Sequence, residues 1–202
     1  MIYSLSEIDA HAKKATRGVG YSWGHAEESG KAVRYLAAQQ LPGAVLLSRY
    51  LGERDAGFLP STCRCPLLAG AQLCDRGWNA VSAWEQEPLV LPELAYPLLL
   101  LPALMLLSRE SGCGVQLTWS GVQLILRGSA LHLERADEAS LVTPLATEVL
   151  IQPLAGVLTA GREPSNAGQD IADTVWAALE RFAKRTYVPA TEASRRGAGP
   201  AD

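Results

Sequence analysis

Between residues 115 and 135 apolar and polar side chains alternate three times in succession. Val115, Leu117 and Trp119 are interleaved with Gln116 and Thr118. After Ser120-Gly121, Val122, Leu124 and Leu126 fall at every second position, with Gln123 and Ile125 between them. After Gly128-Ser129, Leu131 and Leu133 alternate with His132 and Glu134. A period of two, broken by turn residues, predicts a three-stranded antiparallel meander with one buried face. Glu148 to Gln152 reads as a further strand, bounded by Pro153, and Leu89-Val90-Leu91 as a short one.

Just upstream of the meander lies LAYPLLLLPALMLL, Leu94 to Leu107, fourteen residues without a charge. A membrane span needs about 20 apolar residues, and a run this short fits a buried helix. Pro97 and Pro102 interrupt it, and Glu93 and Arg109 bracket it. It is read as a central core element, helical from Pro97 or Pro102 to Ser111 and ended by Gly112.

The first third of the chain reads helical. Ser4 and Glu7 form a capping box, and Leu5, Ile8, Ala12 and Ala15 then share a face. Gly18 and Gly20 stop this helix. Ser22 caps a second helix, whose packed face holds Trp23, Ala26, Gly30, Val33 and Ala37. Gly30 weakens a helix, so its place in that row points to close approach of a neighbour. Pro42 opens a third helix that runs to Gly52. From Glu53 to Trp84 prolines, cysteines and glycines predict irregular structure, with Trp78 and Trp84 buried. Asn166 and Gln169 read as a second capping box, before a helix burying Ile171, Val175, Leu179 and Phe182. The expectation is an α+β fold: N-terminal helices, an antiparallel β-meander sheet and a C-terminal helix. It divides into residues 1–54 (N-terminal helical segment), 55–185 (α+β body) and 186–202 (C-terminal arm), forming one compact unit.

Composition excludes several classes. Of 202 residues 48% are hydrophobic and 19% charged, which is not the composition of a disordered chain. A net charge of −3 gives no global field to attract nucleic acid or an anionic membrane. The start, MIYSLSEIDAHAKK, has no basic-then-apolar leader pattern, so the expected compartment is the cytoplasm, with free thiols. Chain length alone suffices for a core without disulfides or metal.

Chemical motifs are mostly rejected. GHAEESGK, Gly24 to Lys31, resembles a phosphate loop but has one residue too many between its glycines. Ala32 also replaces the hydroxyl, and Glu27 and Glu28 would repel phosphate. No dinucleotide fingerprint follows a strand, and HExxH and GxSxG are absent. Cys63, Cys65, Cys74 and Cys113 make one over-tight pair and two singles, unlike the two close pairs of structural zinc. No metal, cofactor or catalytic residue is assigned. Cys65 or Cys74 would need a nearby base to act as a nucleophile. His25 and Glu28 share a helix face but are too few for a metal site. His11 and His132 are expected to be exposed. Arg181, Lys184, Arg185, Arg195 and Arg196 make the C-terminus locally basic. That end reads either as a frayed terminus or as an ordered arm gripping a carboxylate.

The segment SLSEIDAHAKKATRGVGYSWGHAEESGKAVRYLAAQQLPG resembles the start of a bacterial family catalogued only as a domain of unknown function. Two further stretches are similar to it: Cys65-Pro66, Ala69-Gly70-Ala71 and Asp75; then Thr186-Tyr187, Pro189 to Glu192, Ser194-Arg195 and Gly197 to Gly199. The closing GAGPAD departs from the acidic end typical there. The likeness implies no activity. The first fifty residues are also similar in layout to the malate/L-lactate dehydrogenase family unrelated to Rossmann enzymes. Where that family has a functional histidine, this chain has Gln39-Gln40-Leu41-Pro42-Gly43.

Together these readings predict a small-molecule-binding or accessory protein of bacterial metabolism, with a homo-oligomer or protein partner in view. The expected site joins Trp23, Glu27 and Glu28, the Cys65–Asp75 loop, and Tyr187, Glu192 and Arg195. There Arg195 would hold an anion, carboxylates would orient polar groups, and Trp23 would wall the pocket. The alternatives are an enzyme using Cys65, Cys74 or Glu28, and an interaction subunit docking through Leu46, Leu47 and Tyr50.

Overall fold

The computed structural model describes residues 1–77, 88–154 and 161–187. Trp78, Trp84, Glu192, Arg195 and the end of the arm lie outside the described residues.

Four helices come first. Helix α1 (Leu5–Gly18) begins at the predicted capping box, with Ser4 and Glu7 reciprocally hydrogen-bonded. Helix α2 (Trp23–Ala38) is capped by Ser22, whose hydroxyl accepts from the His25 amide. The two helices pack side by side. Gly30 is where they touch: a Cβ there would stand 2.8 Å from the Asp9 carbonyl oxygen. Helix α3 (Gly43–Asp55) follows directly on Pro42. Helix α4 (Pro66–Arg76) occupies sequence expected to be irregular. Pro66 stands at its first turn, where the missing N–H costs nothing, and Leu67, Gly70 and Leu73 form its buried stripe.

The sheet has five antiparallel strands in the order β2-β6-β3-β4-β5. Strands β3 (Gly114–Trp119), β4 (Val122–Arg127) and β5 (Ala130–Arg135) are the predicted meander. Gly121, at φ 81°, makes the first turn in a conformation other residues resist. Strand β6 (Leu145–Leu154) inserts between β2 (Leu89–Ala95) and β3. Pro153 lies inside β6 rather than ending it, facing Val115.

The apolar run forms a 3-10 turn, Pro97–Leu100, and then helix α5 (Leu101–Ser111), closed by Gly112 in the left-handed conformation. Helix α5 lies against β3 and β4. A four-residue helix α6 (Glu138–Leu141) follows the meander and caps the end of β3, where Trp119 Nε1 donates to the Ser140 carbonyl at 3.2 Å. Helix α7 (Asp173–Ala183) packs on α1 and α3. The predicted second capping box is not one: Gln169–Asp170 is strand β7, paired with β1 (Ile2–Tyr3). Long-range pairing overrides the local signal there. Helix α7 starts after Ile171, which is buried by the chain just before it, and Val175 is half-buried.

One buried cluster runs from Ile8 in α1 through Leu46, Leu47 and Tyr50 in α3 and Leu104 in α5. It continues through the inner sheet face, Leu117, Leu124 and Ile151, to Phe182 in α7. Three side-chain readings are corrected. Trp23 is 54% exposed rather than packed. His11 is buried, its ring stacked on Trp176 at 3.9 Å, with Tyr3 on the other face of that indole at 3.7 Å. His132 is half-buried on the outer sheet face.

Candidate functional site

Tyr50 and Arg54 lie one helical turn apart on α3, so both side chains leave the same face of that helix. Tyr21 comes from the α1–α2 connection and Cys65 from the N-cap of α4. The three meet in one hydrogen-bonded hub. Tyr21 Oη is 2.7 Å from Tyr50 Oη and 3.2 Å from Cys65 Sγ. The Leu68 amide donates to the same sulfur at 3.4 Å. Burial pushes both tyrosine hydroxyls above their ordinary range, so at neutral pH they carry their protons. They can donate and accept hydrogen bonds, but they supply no base.

The backbone beside the hub is held under strain. Glu93 and Tyr96 both have positive φ, 49° and 43°. Non-glycine residues in such conformations cost on the order of 1–3 kcal/mol each, and they cluster at functional sites. Here they bracket the point where Arg64 joins β2. The Arg64 amide donates to the Glu93 carbonyl at 2.7 Å, and Ala95 donates to the Arg64 carbonyl at 3.1 Å. This pairing fixes Cys63, Arg64 and Cys65 against the sheet edge. Behind them Tyr96 Oη donates to Glu53 Oε1 at 2.7 Å.

In front of the hub opens a cleft of about 470 Å³. Tyr50, Cys63 and Cys65 line it, with Arg54, Arg64 and Ser61 around them. Among the described residues its one lining carboxylate, Asp55, is already bound by both nitrogens of the Arg185 guanidinium, at 2.6 and 2.8 Å. That pairing holds the Asp55 carboxyl below its usual range. The Arg54 guanidinium lies over the Tyr21 ring at 4.7 Å, which orients it without neutralising it. The cleft is therefore polar and carries surplus positive charge.

A second cavity, about 440 Å³, lies among α2, α4 and α5. Its walls are apolar, and Glu28, Lys31 and Asp75 are its charged lining groups. Lys31 is held by Glu28 at 2.7 Å. Cys74 lines it too, and burial pushes that thiol up to about 11, which makes it a poor nucleophile at neutral pH. Tyr35 adds a wall, and burial raises its hydroxyl to about 12.

The residues singled out in the sequence thus separate. Glu28 and Asp75 share the apolar cavity, and Cys65 belongs to the polar cleft. Glu27 points to Lys13 at 2.7 Å, on the surface where Trp23 lies beneath Lys13 and Arg17. Tyr187 is exposed, its ring facing Lys14. Glu192 and Arg195 lie outside the described residues. Sequence reasoning missed Tyr21, Tyr50, Arg54 and Arg64. The legible signal was Cys65-Pro66, an N-cap residue followed by proline at the first helical position. Leu46, Leu47 and Tyr50 are at most 1% exposed, so that face of α3 is occupied by the chain's own core. All four cysteines are unpaired. Among the described residues no group of three His, Cys, Asp or Glu side chains could hold a metal ion. Nor is any helix among them long and apolar enough to cross a membrane.

The architecture defines an α+β protein in which helices surround a polar cleft at a sheet edge. Residues 3–68, which supply the whole hub except its supporting strand, match the family described as Protein of unknown function (DUF3726). This agrees with the resemblance carried by the Ser4–Gly43 segment. No match was found among curated proteins or among solved structures.

Proposed function

We propose that the protein binds a small carboxylate-bearing metabolite in the cleft between α3 and α4. The observation that carries this reading is the pair of arginines, Arg54 and Arg64, lining a cleft whose one carboxylate among the described residues, Asp55, is already paired with Arg185. Guanidinium groups match carboxylates in bidentate geometry. Ser61 adds an exposed hydroxyl group that can orient a ligand, and the pairing with Glu93 and Ala95 holds the Arg64 backbone in place. The cleft falls within the roughly 300–1,000 Å³ range of small-molecule sites.

A thermal-shift series tests it. Succinate and related small carboxylates should raise the melting temperature, and their neutral amides should not. At about 100 times Kd the linkage is about 2.7 kcal/mol. For a chain this size that corresponds to a rise of roughly 5–10 °C. The double variant Arg54→Met, Arg64→Met should lose the rise. Equal shifts from acids and amides, or an unchanged response in the variant, would sink the reading.

A second reading is favoured by one observation: Cys65 Sγ accepts from the Leu68 amide and shares a hydrogen bond with Tyr21 Oη while lining the same cleft. This is an enzyme with Cys65 as nucleophile. The tyrosines keep their own protons at neutral pH, and the Glu53 carboxylate behind the hub is engaged by Tyr96. Iodoacetamide labelling followed by peptide mass analysis separates the two readings. Cys65 modified many times faster than Cys113 supports catalysis, and equal slow rates leave binding alone.

A further inference from the structure

We propose that the cavity among α2, α4 and α5 is a separate binding site for a small apolar amine, bound as its ammonium ion. This does not rest on the carboxylate reading of the cleft, which has different walls and the opposite charge.

The walls set the apolar part. Leu67 and Gly70 of α4 face Leu99, Pro102, Ala103 and Leu106 across the cavity. A Cβ on Gly70 would stand 3.0 Å from the Ala103 methyl, so the two helices touch at that point and separate beyond it. Leu106 remains 37% exposed, while Leu101, Leu104 and Leu107 of the same helix are buried in the core. A hydrocarbon chain in the cavity would cover such surface, at about 25 cal/mol per Å² removed from water.

The charged groups set the polar part. Two carboxylates, Glu28 and Asp75, and one cation, Lys31, line the cavity. Lys31 is already paired with Glu28, and Asp75 makes no ion pair among the described residues. The unmatched charge is negative. Carboxylate neighbours, Glu110, Glu28 and Asp75, also help to raise the Cys74 thiol, after burial itself. A fatty acid would meet this field with the wrong sign. An alkylammonium would place its chain against Leu67, Leu99 and Leu106 and its head group near Asp75.

The test uses the intact protein and three probes of equal length: hexylammonium, 1-hexanol and hexanoate. Amide resonances of Ala32, Ala71 and Ala103 in a nitrogen-15 spectrum report occupancy. Hexylammonium should move them saturably and bind at least about tenfold tighter than hexanoate. Asp75→Asn should weaken hexylammonium by roughly three- to fivefold, the size expected of an exposed charge pair, and leave hexanol unchanged. Ala71→Phe should block both. If that variant does not fold, the Asp75→Asn comparison decides alone, because Asp75 is exposed and makes no ion pair among the described residues. The Arg54→Met, Arg64→Met variant should bind hexylammonium like the parent, which keeps this site's fate distinct from that of the cleft. Equal affinities for the three probes, no saturable shift, or an Asp75→Asn affinity equal to the parent's would overturn the proposal.

Discussion

His11 is a titratable side chain buried between helices. Its Nε2 is 3.2 Å from the Trp176 carbonyl, and Nδ1 is 3.5 Å from Glu180. Burial lowers its pKa from the usual value of about 6.5, outweighing the opposing pull of Glu180 and the Trp176 carbonyl, while Lys14 lowers it further. Where the folded pKa lies below the unfolded one, the unfolded chain binds more protons in between. The contribution of neutral His11 is thus fully present above about pH 6.5 and is lost as pH falls through the folded value. The urea midpoint should drop between pH 7.5 and 5.5, and less steeply in His11→Gln. Equal slopes would contradict the assignment. Gly30 makes the opposite point about propensity. Alanine there should gain roughly 1 kcal/mol of helix propensity. Its methyl, however, would press on Asp9, and Gly30→Ala should be net destabilising by about 1–3 kcal/mol in urea unfolding. The close approach at Gly30 was legible in the sequence because a glycine stood in an apolar row. The burial of His11 was not, because its partners Trp176 and Glu180 are more than 160 residues away.

Elements were legible where local chemistry and tertiary packing agree. The Ser4–Glu7 capping box and the three alternating strands are written in short spans, and the fold uses them as read. Ser4→Ala should cost about 1 kcal/mol, read as a lower urea midpoint. Two elements were misread for identifiable reasons. Helix α4 was hidden by Pro66 and Gly70, yet proline suits its first turn and the glycine admits Ala103. Strand β7 was hidden because Asn166 and Gln169 mimic a cap. Only pairing with Ile2 and Tyr3 at the far end of the chain makes it a strand. Helix α7 is held the same way, by docking. Phe182 is 2% exposed, with Arg181 and Arg185 over its ring. Phe182→Ala should lower stability by about 3–5 kcal/mol and loosen the Asp55–Arg185 pair that closes one side of the cleft.

The whole molecule explains why the candidate site was hardest to read. The hub draws Tyr21, Tyr50 and Cys65 from three elements, and strand β2 supplies the strained backbone that fixes Arg64. Arg64 and Cys65 are neighbours, but Tyr21 and Tyr50 come from separate elements, so no local spacing reveals the cluster. The core runs from α1 to α7 and separates two cavities with different walls: one polar and basic, between α3 and the loop that leads into α4, and one apolar with an acidic mouth, among α2, α4 and α5. The central claim is that the basic cleft receives a carboxylate. The most direct measurement is a nitrogen-15 titration of the intact protein with succinate, with the hub and the apolar cavity followed in one spectrum. Saturable shifts are expected at Arg54, Ser61, Arg64 and Cys65, abolished in Arg54→Met, Arg64→Met, with Ala71 and Ala103 unmoved. Shifts that map elsewhere, or that persist in the variant, would contradict it.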